Sequence, residues 1–182
     1  MSTAAYPDPP LTDGVVALRR WTMDDAPQVV RCCNDPEIRR WLPAIPAPYT
    51  MDDAVGFISG AGIGPGEEWV RLAIAEPGSP MALGSIGVRT ISAETAQTGY
   101  WVAPEARGRG LASRALVLVS RWALRTFPIA RLQLFTDVEN PASMRVAERA
   151  GFRREGTLRN WYDLRGERRD AVMFALLPED LA

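Results

Sequence analysis

The sequence contains neither lysine nor histidine, and all 21 of its basic residues are arginine. Without histidine the chain cannot form a Ser-His-Asp triad or a histidine metal site, and without lysine it cannot form a Schiff base. Any acid or base in the protein must therefore be Asp, Glu, Tyr, Cys, Ser or ordered water. These absences exclude several common catalytic mechanisms before any motif is considered.

Cysteine is also scarce. The two cysteines, Cys32 and Cys33, are adjacent, and neighbouring residues on a helix point in different directions and rarely form a bridge. The ligand spacing typical of a zinc site is absent as well. We therefore predict two small apolar residues on a helix, with no disulfide framework and no bound metal.

Long hydrophobic runs are missing, although 47% of the 182 residues are hydrophobic. No stretch approaches the length of a membrane span, and the N-terminus lacks a basic segment followed by an apolar one. These features predict a cytoplasmic protein that does not associate with membranes. Residues 1–13 are rich in proline and polar side chains and predict a flexible tail, whereas residues 14–182 predict a single domain.

Charge is distributed unevenly along the chain. Residues 1–106 contain seven arginines and thirteen acidic residues, whereas residues 107–182 contain fourteen arginines and nine acidic residues. A basic C-terminal half favours a polyanionic ligand. The arginines are spaced among acidic residues rather than grouped in blocks, and the whole chain is not basic. The pattern therefore argues against nucleic-acid binding.

The most informative segment is residues 99–112, which read Gly-Tyr-Trp-Val-Ala-Pro-Glu-Ala-Arg-Gly-Arg-Gly-Leu-Ala. It predicts a strand, a tight glycine-rich turn and the start of a helix, with the spacing Arg-x-x-Gly-x-Ala at Arg107, Gly110 and Ala112. Such a turn presents unpaired backbone N–H groups and the positive end of a helix dipole, which is a site for phosphate or pyrophosphate. The turn lacks the Gly-Lys-Ser/Thr of a Walker A loop and the Gly-x-Gly-x-x-Gly of a dinucleotide site.

Turn residues and apolar periodicity predict a mixed α/β domain. Capping residues start helices at Thr22 and Thr50, the clearest helix spans residues 111–126, and Asn140 followed by proline starts the last helix. The predicted strands are residues 14–20, 69–75, 83–90, 95–102, 131–136, 152–162 and 168–177. The element order is β-α-α-β-β-β-α-β-α-β-β. It predicts a mostly antiparallel sheet of about seven strands, in which the fourth and fifth strands are parallel because a helix crosses between them.

The loop at residues 107–112 resembles the coenzyme A pyrophosphate loop of the GNAT superfamily of N-acetyltransferases. The preceding Gly-Tyr-Trp-Val, the later Asn140-Pro-Ala-Ser143 and the Ala-Gly-Phe at residues 150–152 are similar to its RimJ/RimL branch of ribosomal-protein N-terminal acetyltransferases. The resemblance covers residues 15–177. It implies a single GNAT-like domain in which the fourth and fifth strands splay apart, with the pantetheine arm of acetyl-CoA along the strand edge at residues 101–103.

The resemblance also implies roles for particular residues in acetyl transfer from acetyl-CoA to a primary amine by direct attack. The Val102 N–H polarises the thioester carbonyl, and Ser143 donates to the departing thiolate. The predicted cofactor-binding set is Trp101, Val102, Arg107, Gly108, Arg109, Gly110, Leu111, Ala112, Ser113, Asn140 and Ser143. Tyr100 and Trp101 alternate across a strand, so we expect at least one of them to pack in the core.

The sequence does not identify the general base. Members of this branch often carry Glu where this chain has Gln97, and an amide cannot accept the proton. The alternatives are another carboxylate (Asp137, Glu139 or Asp163), a water chain, or a protein that does not acetylate typical amines. The last alternative is an acyl-CoA-binding GNAT-like regulatory module without turnover.

Acceptors compatible with the sequence are a protein N-terminus, an amino acid or small amine, and an antibiotic. Trp161 and Tyr162 either line the acceptor pocket or pack in the core. The sequence also leaves the oligomeric state open, and a homodimer is among the alternatives.

Overall fold

An eight-stranded sheet organises the protein, whose computed structural model describes residues 6–42, 45–60 and 69–181. The strands are β1 (Leu11–Thr12), β2 (Ala17–Arg19), β3 (Trp69–Ala75), β4 (Ala82–Thr90), β5 (Thr95–Val102), β6 (Arg131–Asp137), β7 (Arg153–Leu164) and β8 (Glu167–Leu176). The helices are α1 (Ala26–Cys33), α2 (Pro36–Trp41), α3 (Met51–Ser59), α4 (Leu111–Thr126) and α5 (Pro141–Arg149). Three short 3₁₀ helices lie at Met23–Asp25, Pro104–Ala106 and Pro178–Leu181.

The strand order is β1-β2-β3-β4-β5-β6-β8-β7, and β5 and β6 are the parallel neighbours. These two strands run parallel because α4 carries the chain from one end of β5 back to the start of β6. Their pairing covers only Thr95, Ala96 and Gln97 opposite residues 131–133. Beyond Gln97 the strands diverge and leave a gap in the centre of the sheet. The predicted mixed fold and its splayed central pair are confirmed.

Two clusters of buried side chains lie on opposite faces of the sheet. On one face α4 packs through a stripe of residues that are at most 3% exposed, namely Leu111, Ala115, Leu116, Val119 and Ala123. On the other face α1 and α3 enclose a smaller cluster that includes Cys33, Tyr49 and the partly buried Trp101. Both cysteines are free and buried, and burial raises the pKa of the Cys32 thiol to about 11.

Helix starts follow the predicted capping pattern. The capping box at Thr50 is complete, with Asp53 as the reciprocal partner, and at Thr22 the Asp25 carboxylate accepts from the Thr22 amide at 2.9 Å. At the last helix, the Asn140 side chain accepts a hydrogen bond from the Ser143 amide at 3.0 Å. These caps fix where the helices begin, and the last one places Ser143 in the first turn of α5.

The last residues of the predicted tail take part in the sheet. Leu11 and Thr12 form β1 and pair with β2, and the Thr12 hydroxyl donates to the Val16 carbonyl at 2.8 Å. The strand predicted over residues 14–20 is therefore shorter, and the sheet gains an eighth strand. A two-residue strand is too short to produce a periodicity. Residues 1–5 of the predicted tail lie outside the described residues.

The segment that begins at Thr22 contains two α-helices, where the sequence analysis expected one. Helix α1 ends at Cys33, and Asp35 then caps α2 by accepting a hydrogen bond from the Ile38 amide at 3.0 Å. Pro36 occupies the first position of α2, where its missing N–H costs nothing. Among the residues that the structure describes, none of the helices is long and apolar enough to cross a membrane.

Candidate active site

A cleft of about 300 Å³ opens between the end of β5 and the first turn of α5. The loop before α4 and one side of α2 complete its walls. Seven of the eleven predicted cofactor-binding residues line it, namely Trp101, Val102, Arg107, Gly108, Ala112, Asn140 and Ser143. Residues that are about 40 positions apart in the sequence thus meet at one site, at the point where the central strands splay.

The glycine-rich loop forms one end of the cleft. After the short helix Pro104–Ala106 the chain turns at Gly108 and Gly110, whose φ angles are 74° and 76°. Gly110 is the N-cap of α4, a helix of 16 residues. The first amides of a helix have no partner within the helix, and the dipole makes this end positive. The loop therefore has the backbone geometry of an anion-binding site.

The other four predicted residues do not line the cleft with their side chains, within the described part of the chain. Arg109 forms an ion pair with Glu76 on the far side of the loop. Leu111 is 3% exposed and packs in the core. Gly110 and Ser113 take part in the turn and in the first helical turn. Their predicted contribution is through backbone N–H groups, and it stays a prediction.

The Val102 amide points into the gap between β5 and β6. The neighbouring Ala103 amide donates to the Leu83 carbonyl of β4 at 2.8 Å. Because successive amides along a strand point in opposite directions, the Val102 N–H is directed away from β4. It lies on the side where β5 no longer pairs with β6. This is the orientation required of a donor to a carbonyl held in the gap.

A tyrosine that the sequence analysis considered as core packing contacts the predicted acid. The Tyr100 hydroxyl lies 2.8 Å from the Ser143 hydroxyl and donates to the Ser143 carbonyl at 3.3 Å. Burial raises the pKa of Tyr100 to about 12, although the hydrogen bond with Ser143 acts in the opposite direction. Strand alternation indicates that Tyr100 faces α5, but the sequence contains no signal for its partner.

Sequence reasoning also missed the wall formed by α2. Ile38, Trp41 and Leu42 contribute apolar surface, and Glu37 contributes a carboxylate that accepts a hydrogen bond from the Trp41 indole at 2.8 Å. An ion pair between Arg107 and Asp35 connects α2 to the loop. The Asp-Pro dipeptide at the start of α2 was the available signal for this helix.

The sequence of this chain matches a known protein family over most of its length. The family described as acetyltransferase (GNAT) domain matches residues 16–153. The chain belongs to the GNAT acetyltransferase family.

Several relatives match along most of their length. An uncharacterised N-acetyltransferase, p20 from Bacillus licheniformis, is 23% identical over 171 residues, which cover 92% of this chain and 95% of that protein. The structure of Mycobacterium smegmatis RimJ in complex with CoA-disulfide superposes with a TM-score of 0.80 at 27% identity and covers 94% of this chain and 87% of that one. The structure of RimL, a ribosomal L7/L12 alpha-N-protein acetyltransferase in complex with coenzyme A, superposes with a TM-score of 0.78 at 21% identity. The match covers 95% of this chain and 98% of that one.

The three carboxylates considered as the base of this acetyltransferase are engaged elsewhere and do not line the cleft. Asp137 is 4% exposed and accepts hydrogen bonds from the Tyr162 hydroxyl at 2.6 Å and from Arg169 Nε at 3.0 Å. Although burial alone raises it, these bonds hold the pKa of Asp137 below its ordinary value. Glu139 pairs with Arg169 at 2.7 Å, and Asp163 accepts from the Gly166 amide at 3.0 Å in the last hairpin turn.

The aromatic pair of the last hairpin lies on the exposed side of β6. The rings of Trp161 and Tyr162 approach the Phe135 ring with centroid distances of 6.2 and 5.5 Å. Trp161 keeps 44% of its surface exposed.

Gln97 pairs with Gln133 at the last register before the strands splay. Of the carboxylates in the described residues, Glu37 is the one that lines the cleft of the acetyltransferase.

Proposed function

We propose that this GNAT protein is an enzyme that moves an acetyl group from acetyl-CoA to a primary amine by direct attack in a ternary complex. The observation that carries the proposal is the composition of one cleft. A backbone anion site, a strand amide directed into the sheet gap and a serine hydroxyl line the same cavity. A long donor whose pantetheine arm connects a pyrophosphate to a thioester fits this order.

Each of these groups has a chemical task. The amides at residues 108–113 bind the pyrophosphate, because they present N–H groups at the positive end of α4, whereas the Arg107 amide already donates to the Pro104 carbonyl. The Val102 N–H donates to the thioester oxygen, and this bond strengthens as negative charge develops there. The amine nitrogen forms a bond to the carbonyl carbon, the C–S bond breaks, and its electron pair leaves with sulfur. Ser143 donates to the thiolate, and the proton of the attacking amine passes to water or to a carboxylate.

The acceptor class in this proposal is a protein N-terminus, an amino acid or a small amine. The relative RimL is a ribosomal L7/L12 alpha-N-protein acetyltransferase, which supports the inclusion of peptide N-termini in the test. Its 21% identity to this chain is too low to transfer that substrate. The acceptor therefore has to be found with a panel that contains peptides, free amino acids, polyamines and aminoglycosides.

A second candidate function is an acyl-CoA-binding regulatory module without turnover. One observation favours it. Position 97 of β5 is the amide Gln97, where the family resemblance leads us to expect a carboxylate, and Asp137, Glu139 and Asp163 do not line the cleft as the described residues define it. The retained Ser143, which faces the cleft, favours the enzyme instead.

Two measurements separate these functions. Calorimetric titration with acetyl-CoA and with coenzyme A should give a dissociation constant in the micromolar range. Thiol release with the amine panel should then be faster than hydrolysis without amine for at least one acceptor. Binding without any acceptor-dependent release would favour the regulatory module. No binding to a folded sample would overturn both functions.

Ser143→Ala tests the role of the serine within the enzyme. The substitution removes the hydroxyl but leaves the Ser143 amide, which Asn140 binds, in place. We expect kcat to fall by about 10- to 100-fold with a change of less than about twofold in the dissociation constant of acetyl-CoA. An unchanged kcat across the pH range would exclude Ser143 as the proton donor.

A further inference from the structure

We propose that Tyr100 is a positioning residue that sets the direction of the Ser143 hydroxyl for donation to the leaving sulfur. The inference rests on the proposed function and concerns the same cleft. Its starting observation is the contact of 2.8 Å between the two hydroxyl oxygens, which joins β5 to the first turn of α5 across the mouth of the splay.

Ser143 is held at three atoms by two residues. Its amide donates to the Asn140 side chain at 3.0 Å, which fixes the backbone at the start of α5. Its carbonyl accepts from the Tyr100 hydroxyl at 3.3 Å, and its own hydroxyl lies 2.8 Å from the same oxygen. Asn140 therefore determines where Ser143 lies, and Tyr100 determines where its hydroxyl points.

The hydroxyl pair has two proton arrangements. In the first, Ser143 donates to Tyr100, and Tyr100 donates to the Ser143 carbonyl. In the second, Tyr100 donates to the Ser143 oxygen, and the serine proton is directed into the cleft. The exchange needs only rotation of two O–H bonds. The second arrangement has a free donor for a thiolate, and the first does not.

Tyr100 keeps its own proton in both arrangements. Because burial raises the pKa of its phenol to about 12, the phenolate is not populated near neutral pH. When Ser143 donates to sulfur, the serine oxygen gains negative charge, and the protonated phenol stabilises that charge by donating to it. Tyr100 acts through Ser143 and does not supply the transferred proton.

Without Tyr100 the serine hydroxyl has a competing partner. A serine in a helix readily donates to a backbone carbonyl three or four residues earlier. For Ser143, the third residue of α5, the carbonyl available in the helix is that of the N-cap residue Asn140. Tyr100→Phe preserves the ring that lines the cleft but removes the donor that, in the second arrangement, holds the serine oxygen with its proton directed into the cleft. The substitution should therefore reduce the fraction of serine hydroxyls that point into the cleft.

The experiment is a double-mutant cycle with the amine that gives the fastest turnover. Tyr100→Phe should lower kcat by about fivefold to tenfold, while the dissociation constant of acetyl-CoA changes by less than about twofold. In the Ser143→Ala background, Tyr100→Phe should have little further effect, because the two residues act through one hydroxyl. The pH–rate profile should keep its inflection points while the rate falls equally at every pH, since Tyr100 does not titrate in the working range.

Tyr49→Phe is the matched control. Tyr49 is a buried tyrosine whose hydroxyl donates to the Asp53 carbonyl at 3.2 Å, and it does not line the cleft. Its loss should change the melting temperature but not kcat. Melting temperatures of all variants separate loss of folding from loss of positioning.

Three results would overturn the inference. The first is an unchanged kcat in Tyr100→Phe, and the second is an effect of Tyr100→Phe that persists in full in the Ser143→Ala background. The third is a loss of acetyl-CoA affinity with kcat unchanged, which would make Tyr100 a packing residue. If the wild-type protein turns over no amine, the proposed function fails and this inference fails with it. Wild-type turnover with one of the three results rejects the role of Tyr100 alone.

Discussion

The Arg107 guanidinium and the Asp35 carboxylate form an ion pair that ties the glycine-rich loop to the N-terminus of α2. The same carboxylate caps α2 by accepting from the Ile38 amide. Although partial burial opposes it, the bond from Arg107 holds the pKa of Asp35 below its ordinary value. One aspartate thus orders a wall of the cleft and pairs with a cation that a pyrophosphate would attract.

Asp35→Asn should strengthen binding of acetyl-CoA. Asparagine caps a helix as well as aspartate does, so α2 should keep its start. The substitution removes a negative charge beside the anion site and frees Arg107. A partly exposed pair of this kind contributes about 1 kcal/mol or less, so the dissociation constant should fall by about twofold to fivefold. The gain, measured by calorimetry, should shrink as salt is raised.

Glu76→Gln provides the matched control for that substitution. Glu76 pairs with Arg109 on the same loop, but neither residue lines the cleft. Glu76→Gln removes the same charge from a pair whose arginine does not line the cleft, and we expect a smaller change in affinity than in Asp35→Asn. Weaker binding in Asp35→Asn would show instead that the Arg107 pair is needed to hold α2 in place.

Gly110→Val should weaken acetyl-CoA binding by more than about tenfold, with only a moderate loss of stability. A Cβ at Gly110 meets no atom within 4 Å, but its φ of +76° is a conformation that side chains rarely adopt. The strain costs about 1–2 kcal/mol and shifts the first amides of α4. A valine side chain would also hold a phosphate away from the backbone. Calorimetry and thermal unfolding measure the two effects separately.

Gly78→Val is the control for strain. Gly78 has a φ of +75° and equally open surroundings, and it lies in the turn between β3 and β4. Both variants should lose similar stability, and only Gly110→Val should lose affinity. Equal affinity in the two variants would show that the loop before α4 is an ordinary turn.

Elements with a strong local signal could be predicted from the sequence. The bounds of α4 match the predicted range because its apolar stripe is long and a proline follows it. The starts of α3 and α5 match the predicted starts because the side chains of Thr50 and Asn140 accept hydrogen bonds from amides only three residues later. The splay was predicted through resemblance to a family, since no residue of β5 or β6 specifies it locally.

The features that could not be predicted from the sequence depend on contacts between residues that are far apart in the chain. Tyr100 and Ser143 are 43 residues apart, and their contact exists only because α5 returns beside β5. Glu37 reaches the cleft because Asp35 connects α2 to the loop at Arg107. Neither partner can be read from periodicity or spacing. The residues predicted from the sequence that line the cleft therefore come from β5, from the loop with the start of α4, and from α5 with its cap, and none comes from α2.

Glu37→Gln should change the pH dependence of turnover if a carboxylate of this chain accepts the amine proton. Glu37 lines the cleft, whereas Glu139 is engaged with Arg169 outside it. We expect the acid limb of the kcat/KM profile to flatten in Glu37→Gln and to persist in Glu139→Gln. A profile that keeps its acid limb in both variants would favour proton transfer through water.

Asp137→Asn should lower stability without altering the pH dependence of turnover. Asp137 is nearly fully buried, and the amide cannot reproduce its bonds to both Tyr162 and Arg169, so the free energy of unfolding should fall by about 2 kcal/mol.

The pH dependence of stability should also change. The folded pKa of Asp137 is lowered, so its stabilisation is complete above the unfolded pKa of about 4 and is lost as pH falls through the folded value. Thermal unfolding between about pH 7 and pH 2 should therefore show a smaller acid loss in Asp137→Asn than in the wild type. Asp163→Asn, at an exposed hairpin turn, should change stability little. A stable Asp137→Asn protein that loses the acid limb of its rate profile would instead identify Asp137 as the base.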